Sequence, residues 1–294
     1  MFSLFFEKFS SKFILPLLFV LLYGSGFVGA KLGLPDSEPF TFLALRFSLA
    51  SFLMALIALF LNAPWPSRIK DFFHISISGF LGVGVFSAAA FSSIYFGVSP
   101  AVCALVVSLN PIFVSLLAGP LLGERTNYRQ FLGLVLGFVG VYFVLIDNFG
   151  LENIFSLKIF LSVFALLGLT SGNLYQKKYC STMNIFTGGA IQCFICTLFM
   201  ILGILIFDES PVNWTTNFLF AWLWMSIVVS IGAISVFYTM LRRAEISRVS
   251  SVFFLMPVSA AVLSYFLFNQ SLSFLSVIGV FITLTGVFFA MRNR

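Results

Sequence analysis

Two stretches of the chain, YGSGFVGAK at residues 23–31 and LTSGNLYQK at residues 169–177, share a Ser-Gly pair and a lysine at an offset of 146 residues. The same offset pairs Pro111 with Pro257. Chance matches between apolar residues are expected in a chain that is 60% hydrophobic, whereas repeated matches between serine, proline, glycine and lysine are not. The sequence therefore predicts two copies of one unit.

The composition is that of a membrane protein. Only 9% of the residues are charged, which is too few to cover the surface of a soluble domain of this length. A helix needs about 20 apolar residues to cross a hydrocarbon core of about 30 Å. Ten runs of suitable length follow one another, at residues 14–33, 40–61, 72–95, 100–122, 129–147, 158–178, 185–206, 218–240, 247–268 and 273–291.

The ten predicted spans divide into a first half, residues 1–147, and a second half, residues 148–294. Because each half has an odd number of spans, the second half enters the membrane from the opposite face. The predicted fold class is therefore an all-α polytopic membrane protein with ten transmembrane helices arranged as two inverted five-helix repeats. Such repeats recur in secondary transporters, which bind substrate near the midplane between the halves. A duplicated scaffold without transport activity is the alternative.

Charge asymmetry predicts the orientation. Thirteen of the sixteen Lys and Arg residues fall at the N-terminus, in the even-numbered loops or at the C-terminus, whereas only Lys31 and Lys158 fall on the other side. Basic residues accumulate in cytoplasmic loops, so both termini are expected in the cytoplasm, with the protein in the inner (plasma) membrane of a bacterium. The first apolar run lacks a signal-peptidase site and is expected to remain as a span.

Other function classes find little support in the residues. The net charge of +6 comes from short basic clusters between apolar runs, so no nucleic-acid partner is expected. An enzyme would need clustered His, Asp or Glu, but the chain has one histidine, His74, and scattered carboxylates. We expect no catalytic residue, cofactor or metal, and a monomer or homodimer. Cys193 and Cys196 have a redox-like spacing but lie within an apolar run, where packing is the simpler interpretation.

Several motifs are similar to those of a known family. The chain resembles the drug/metabolite transporter superfamily, and within it the ten-helix EamA-type branch. This resemblance implies export of amino acids or related metabolites through a central cavity between the repeats. The second copy has Gln270 where the family pattern favours glutamate. The residues that carry the resemblance are Tyr23–Lys31, Arg46, Asn110-Pro111 through Leu122-Gly123-Glu124-Arg125, Gly133–Gly140, Arg248 and Pro257.

Charged residues inside the predicted spans are the first candidates for the substrate pathway. Arg46 lies about six residues, roughly 9 Å, into the second span, at a cost of about 2.5–3.5 kcal/mol on insertion scales. It either binds substrate or a gate, or it holds backbone carbonyls of a neighbouring helix. Its repeat partner is Gln192. Lys31 and Lys177 end the first helix of each repeat, where they either reach toward the interface or attract a substrate carboxylate.

The remaining candidates are neutral polar and aromatic side chains within the spans. Hydrogen-bonding groups beside aromatic faces suit zwitterionic or amphipathic ligands, although each residue can also serve helix–helix contact. Pro111 and Pro257 are expected to kink their helices, as a static bend or at a point of gating. The other members of this predicted pathway are Tyr23, Ser25, Ser92, Tyr95, Asn110, Ser171, Asn173, Tyr175, Gln176 and Tyr238.

These patterns predict a secondary transporter that exports a small amphipathic metabolite, an amino acid or a derivative, by alternating access around a central cavity. The expected partners are this small molecule and the lipid bilayer. An importer or exchanger of a nucleotide-related metabolite, such as S-adenosylmethionine, is the alternative on the same fold. Since no carboxylate or histidine lies at mid-membrane in the predicted spans, facilitated diffusion or coupling to another ion is favoured over a mid-membrane proton relay.

Overall fold

The computed structural model describes residues 2–98, 100–124, 127–146, 157–208, 210–259 and 274–291, and all regular secondary structure in these ranges is helical. In the first half, the third predicted span contains a turn of π-helix and the fourth is divided at Leu109. The elements of this half are α1 (Phe2–Gly33), α2 (Pro39–Phe60), α3 (Ile69–Gly79), a first π-helix (Phe80–Val85), α4 (Phe86–Tyr95), α5 (Pro100–Ser108), α6 (Asn110–Leu122) and α7 (Tyr128–Ile146).

The second half repeats this order. Its third span again contains a π-helix, and its fourth span begins with a short helix followed by a turn of 3₁₀-helix. The elements are α8 (Leu157–Tyr179), α9 (Ile185–Phe207), α10 (Thr216–Trp224), a second π-helix (Met225–Ala233), α11 (Ile234–Arg243), α12 (Ile246–Ser250), the 3₁₀ turn (Ser251–Phe254) and α13 (Phe274–Met291).

These helices confirm the predicted membrane architecture. Within the described ranges, seven helices are long and apolar enough to cross a membrane. Three shorter apolar helices occupy the places of the predicted fifth, ninth and tenth spans, at Tyr128–Phe143, Ile246–Ser259 and Val277–Met291. The second part of the predicted ninth span, residues 260–268, lies outside the described residues. The protein is thus an all-helical, multi-pass membrane protein.

The two halves are interleaved. The first helix of each half packs against the third span of the other: α1 lies on α10, the second π-helix and α11, whereas α8 lies on α3, the first π-helix and α4. The second helices, α2 and α9, pack on each other, and so do the fifth and tenth, α7 and α13. Each of these contacts therefore has an equivalent in which the corresponding helices of the two halves change places, which is the arrangement expected of inverted repeats.

Glycines allow α7 and α13 to approach closely. A Cβ on Gly133 would collide with the Gly286 carbonyl oxygen, and a Cβ on Gly140 would collide with Thr283 and with the Gly279 carbonyl. Small residues permit such backbone contact between membrane helices. This pair therefore joins the last helices of the two halves.

The two π-helices lie at equivalent positions. Adding 146 to the first, Phe80–Val85, gives residues 226–231, which fall inside the second, Met225–Ala233. A turn of π-helix is rare and is found mostly at functional sites. Since both copies have it in the same place, the irregularity belongs to the repeated unit, and each π-helix faces the first helix of the opposite half.

The membrane faces differ in charge. The loops at residues 34–38 and 208–215 meet on one side, which we call the acidic face because it carries Asp36, Glu38 and Asp208. The loops at residues 61–68 and 180–184 meet on the other side, which we call the basic face. The basic face also receives the ends of α8 and α11, with Lys178, Arg242 and Arg243.

Candidate functional site

A cavity lies between the halves, and both contribute to its wall. It holds about 490 Å³ of empty space, including the part open to solvent. The lining comes from α1, α2, α3, the first π-helix, α4, α8, α11 and the 3₁₀ turn. Its residues are the aromatic Phe19, Tyr23, Phe86, Phe237, Tyr238 and Phe253, the polar Arg46, Ser78, Ser87, Asn173 and Gln176, and the small or aliphatic Gly82, Val83, Leu169, Gly172 and Ile234.

Arg46 is the charged residue of this lining, and it is 4% exposed. Its Nε donates to Ser230 Oγ at 2.8 Å, which joins α2 to the second π-helix. The guanidinium carbon lies 4.9 Å from the centre of the Phe47 ring and 6.0 Å from that of Phe91. Ser230 is the hydrogen-bond partner of Arg46 within the described part of the chain, and no carboxylate there pairs with it. Among the described residues, the terminal nitrogens of this buried cation have no hydrogen-bond partner.

Asn173 adds a second unused donor to the cavity wall. It is 5% exposed, and its Nδ2 has no hydrogen-bond partner among the described residues. A buried amide donor without a partner costs about 1–3 kcal/mol. Together with the Arg46 guanidinium, it gives the cavity an excess of donors, which suits a ligand that brings acceptor oxygens.

A buried chain of hydrogen bonds connects the polar wall to the helices behind it. Tyr238 Oη donates to Gln192 Oε1 at 2.7 Å, and Gln192 Nε2 donates to Gln176 Oε1 at 2.9 Å. Ser78 Oγ donates to the same Gln176 oxygen at 2.6 Å. Ser78 belongs to the first half and the other three to the second, so the chain crosses the interface between the halves. It fixes Gln176 and Tyr238 at the cavity surface.

Aromatic rings form another part of the wall. The Phe19 ring centre lies 5.1 Å from that of Tyr23, 5.3 Å from that of Phe237 and 5.5 Å from that of Phe253. Tyr23 also stacks on Phe86 at 6.4 Å. The cavity wall therefore combines a cation and amides with aromatic rings, a combination that suits an amphipathic molecule.

The structure brings six of the predicted pathway residues together. The cavity is lined by Tyr23, Arg46, Asn173, Gln176 and Tyr238, and Gln192 hydrogen-bonds two residues of its lining.

Several other candidates lie at helix contacts and not at the cavity surface. Ser25 Oγ donates to the Leu22 carbonyl and accepts from Trp224 Nε1 at 2.9 Å. Asn110 Nδ2 donates to Thr170 Oγ1 at 3.0 Å. Tyr175 shares a hydrogen bond of 2.7 Å with His74 Nδ1, Ser171 donates to carbonyls of its own helix, and Ser92 is buried in α4.

The lysines and one tyrosine lie at the ends of the helices. Lys177 Nζ donates to the carbonyls of Leu241 and Ala244 at 2.6 and 2.7 Å, and so binds the C-terminal end of α11. Lys31 is exposed at the end of α1, and Tyr95 is exposed at the end of α4.

Both prolines adjoin interruptions of helix. Pro111 is the second residue of α6, just after the break at Leu109. Pro257 follows the 3₁₀ turn Ser251–Phe254 by three residues. An interruption of α-helix near a proline is therefore shared by the fourth span of each half, which is what the repeat predicts.

Three serines of the site were not among the residues chosen from the sequence. Ser230 binds Arg46 from inside the second π-helix, Ser78 lies two residues before the first π-helix, and Ser87 lies two residues after it. Helical periodicity does not reveal a π-helix, so their orientation could not be inferred. The available signal was weak: serines near glycines in an apolar run, in the third span of both halves.

The comparisons with known proteins agree with this architecture. The model of the EamA-like transporter family matches residues 11–146 and 156–292. A protein of Bacillus subtilis strain 168 named "Uncharacterized transporter YvbV" is 25% identical over 285 residues, covering 91% of this chain and 87% of the relative. The "Probable amino-acid metabolite efflux pump" of Escherichia coli K12 is 25% identical over 294 residues, covering 96% of each. One solved crystal structure shares the fold, with a TM-score of 0.79 at 18% identity over 96% of this chain and 97% of the other.

Proposed function

Because the chain belongs to the EamA-like transporter family, we propose that this membrane transporter exports a small amphipathic metabolite with a carboxylate, an amino acid or a derivative of one. A relative spanning the same length is named as a probable amino-acid metabolite efflux pump, which supports both the ligand class and the direction. The substrate site is the cavity between the halves.

The observation that carries this proposal is the state of Arg46. A buried guanidinium normally pairs with a carboxylate, because an unpaired buried charge is strongly unfavourable. Arg46 faces the cavity, is bound within the described residues by Ser230 alone, and is flanked by two phenyl rings. A ligand carboxylate supplies the missing partner in the bidentate geometry that arginine favours.

The other walls fit the remainder of such a ligand. The unused Asn173 donor supplements the carboxylate site. The rings of Phe19, Tyr23 and Phe253 provide apolar contact for a side chain, and an aromatic face also attracts an ammonium group. An amino acid carries all three groups within a few ångströms of one another.

The repeat supports alternating access as the mechanism. We propose that the two halves, residues 1–147 and 148–294, exchange conformations so that the cavity opens to one face and then to the other. The remaining pathway residues then act at helix contacts or at the two mouths of the cavity. They are Ser25, Lys31, Ser92, Tyr95, Asn110, Ser171, Tyr175 and Lys177.

We further propose that both termini face the cytoplasm, since the basic clusters lie on their side of the membrane.

A thermal-shift screen of the purified protein tests the proposal. Each amino acid is compared with its own carboxamide, which lacks the negative charge but keeps the side chain. We expect the acids to raise the melting temperature and the carboxamides to raise it much less. Arg46→Gln should abolish the difference, whereas Arg68→Gln, which removes an exposed cation on the basic face, should preserve it.

Two outcomes would contradict this assignment. Equal stabilisation by acid and carboxamide would remove the carboxylate from recognition. Stabilisation by nucleosides or S-adenosylmethionine, with none by amino acids, would favour a nucleotide-related substrate on the same fold.

A further inference from the structure

The charges around the cavity are one-sided. Arg46 is the charged residue of the lining, and the described lining residues include no Asp or Glu. The ten acidic residues of the whole chain fall in loops or at the ends of the predicted spans, so the sequence places no carboxylate at the depth of Arg46. A ligand in this cavity therefore meets a positive charge and, among these residues, no negative one.

The inverted repeat does not add a second charge to the site. Arg46 corresponds to Gln192 at the 146-residue offset, and Gln192 is 1% exposed and hydrogen-bonded to Tyr238 and Gln176. The second copy thus supplies a neutral amide where the first supplies a cation. A ligand with one negative charge neutralises this site, whereas a dianion, such as a phosphate monoester or a dicarboxylate, brings a second charge that has no partner there.

The unused hydrogen-bonding atoms of the wall are donors. The terminal nitrogens of Arg46 and the Nδ2 of Asn173 have no partner among the described residues. By contrast, the Oε1 acceptor of Gln176 already receives Ser78 Oγ at 2.6 Å and Gln192 Nε2 at 2.9 Å. An ammonium group has three donors and no acceptor, so it does not complement these atoms. A neutral hydroxyl or carbonyl oxygen does.

The aromatic rings do not replace a carboxylate as the partner of an ammonium. The ring centres of Phe19, Tyr23 and Phe253 lie 5.1 to 6.0 Å from one another. The attraction of an ammonium to such a face is weaker than the cost of burying that charge without a counter-ion, close to a guanidinium. The rings instead suit an aryl or large aliphatic group, which gains free energy by leaving water.

We propose that the preferred substrate is an apolar monocarboxylate whose other polar group is an uncharged oxygen, such as a 2-hydroxy, 2-oxo or N-acyl acid related to a large apolar amino acid. In the complex, Arg46 binds the carboxylate, Asn173 Nδ2 donates to the neutral oxygen, and the rings enclose the side chain. The zwitterionic amino acid itself is the weaker ligand. The substrate class rests on the proposed function, since it requires a ligand carboxylate on Arg46.

Three isosteric probes test this preference on the purified full-length protein in lipid nanodiscs. Phenylalanine carries an ammonium where phenyllactate carries a hydroxyl, and phenyllactamide replaces the carboxylate of phenyllactate by a neutral amide. Isothermal titration measures each affinity. Because an unpaired ammonium beside a buried cation is strongly unfavourable, we expect phenyllactate to bind at least about tenfold more tightly than phenylalanine. Phenyllactamide should bind much more weakly than phenyllactate.

Variants at Asn173 test where the neutral oxygen binds. Asn173→Asp provides a carboxylate for an ammonium with almost no change in side-chain size, so we expect the ratio of the two affinities to shift toward phenylalanine by about tenfold or more. Asn217→Asp adds the same charge at an exposed position outside the cavity and should leave the ratio of the parent protein unchanged. Asn173→Ala should weaken phenyllactate but not phenylpropionate, which has no oxygen besides its carboxylate.

The outcomes separate this proposal from the proposed function. If phenyllactate and phenyllactamide bind equally, or if none of the acids binds, the carboxylate is not recognised and both proposals are overturned. If phenyllactamide binds weakly while phenylalanine binds as tightly as phenyllactate, the carboxylate is recognised and only the preference for an uncharged oxygen is overturned. An affinity ratio that Asn173→Asp leaves unchanged also contradicts the assignment of Asn173.

Discussion

Gly172 and Gly82 lie backbone against backbone where α8 crosses the first π-helix, and a Cβ on Gly172 would collide with the Cα and nitrogen of Gly82. Both residues line the cavity, so this contact sets how closely the two halves meet at the site. We expect Gly172→Val to prevent that approach, lowering thermal stability and the yield of folded protein. The change is measured by size-exclusion chromatography and thermal unfolding in detergent.

The control for this prediction is Gly232→Ala. A Cβ at Gly232 would meet only ordinary contacts, the nearest being Leu22 Cδ1 at 3.6 Å. Gly232 lies within the second π-helix, so a similar loss in both variants would mean that glycine is needed in these segments for its backbone and not for the contact with the other half.

Ser230 orients the Arg46 guanidinium through the bond to Nε. In Ser230→Ala the cation keeps its charge but loses this constraint. Hydrogen bonds to charged groups contribute about 1.5–3 kcal/mol, so we expect the affinity for a carboxylate ligand to fall by roughly tenfold or more. Isothermal titration with the best ligand of the screen measures it. Ser87→Ala, which removes a cavity serine without a bond to Arg46, should bind almost as well as the parent protein.

The sequence was sufficient to predict the membrane architecture because apolar run length and the 146-residue offset each report on it directly. It also identified Arg46 as the buried cation and Gln192 as its repeat partner. Hydropathy alone does not say which side of a wholly apolar helix meets the cavity. Ser25 and Ser171 match each other at the repeat offset and were predicted to line the pathway. The structure instead places Ser25 against Trp224 and leaves Ser171 exposed.

Tyr238 and Gln192 should be coupled in stability. Tyr238→Phe removes the hydroxyl that donates to Gln192 Oε1 and leaves that buried acceptor without its partner. We expect a loss of about 1–3 kcal/mol, seen as a melting temperature lower by several degrees. A double-mutant cycle with Gln192→Leu checks the assignment: the second substitution should cost less in the Tyr238→Phe background. Strict additivity would show that the two side chains do not interact.

Glu124 binds the start of α12 from the other half of the chain. Its two carboxylate oxygens accept from Ile246 N at 2.8 Å, Ser247 N at 3.2 Å and Ser247 Oγ at 2.7 Å. Removing such a cap typically costs about 0.5–2 kcal/mol, so Glu124→Ala should lower the melting temperature. Glu245→Ala is the matched control, since this residue makes only a partly exposed ion pair with Arg248 and should have a small effect. Equal losses in both variants would contradict the cap.

Cys180 offers a pH-dependent readout of packing on the basic face. It is buried just after α8, and burial together with the Asp71 carboxylate raises the pKa of its thiol to about 12. Since the thiolate is the reactive form, alkylation of Cys180 at pH 8 should be slow and should rise about tenfold for each pH unit. Mass spectrometry follows the reaction, with Thr182→Cys, an exposed site in the same loop, as the fast reference. Equal rates at both positions would mean that this loop opens readily and that the packing around Cys180 is not maintained in solution.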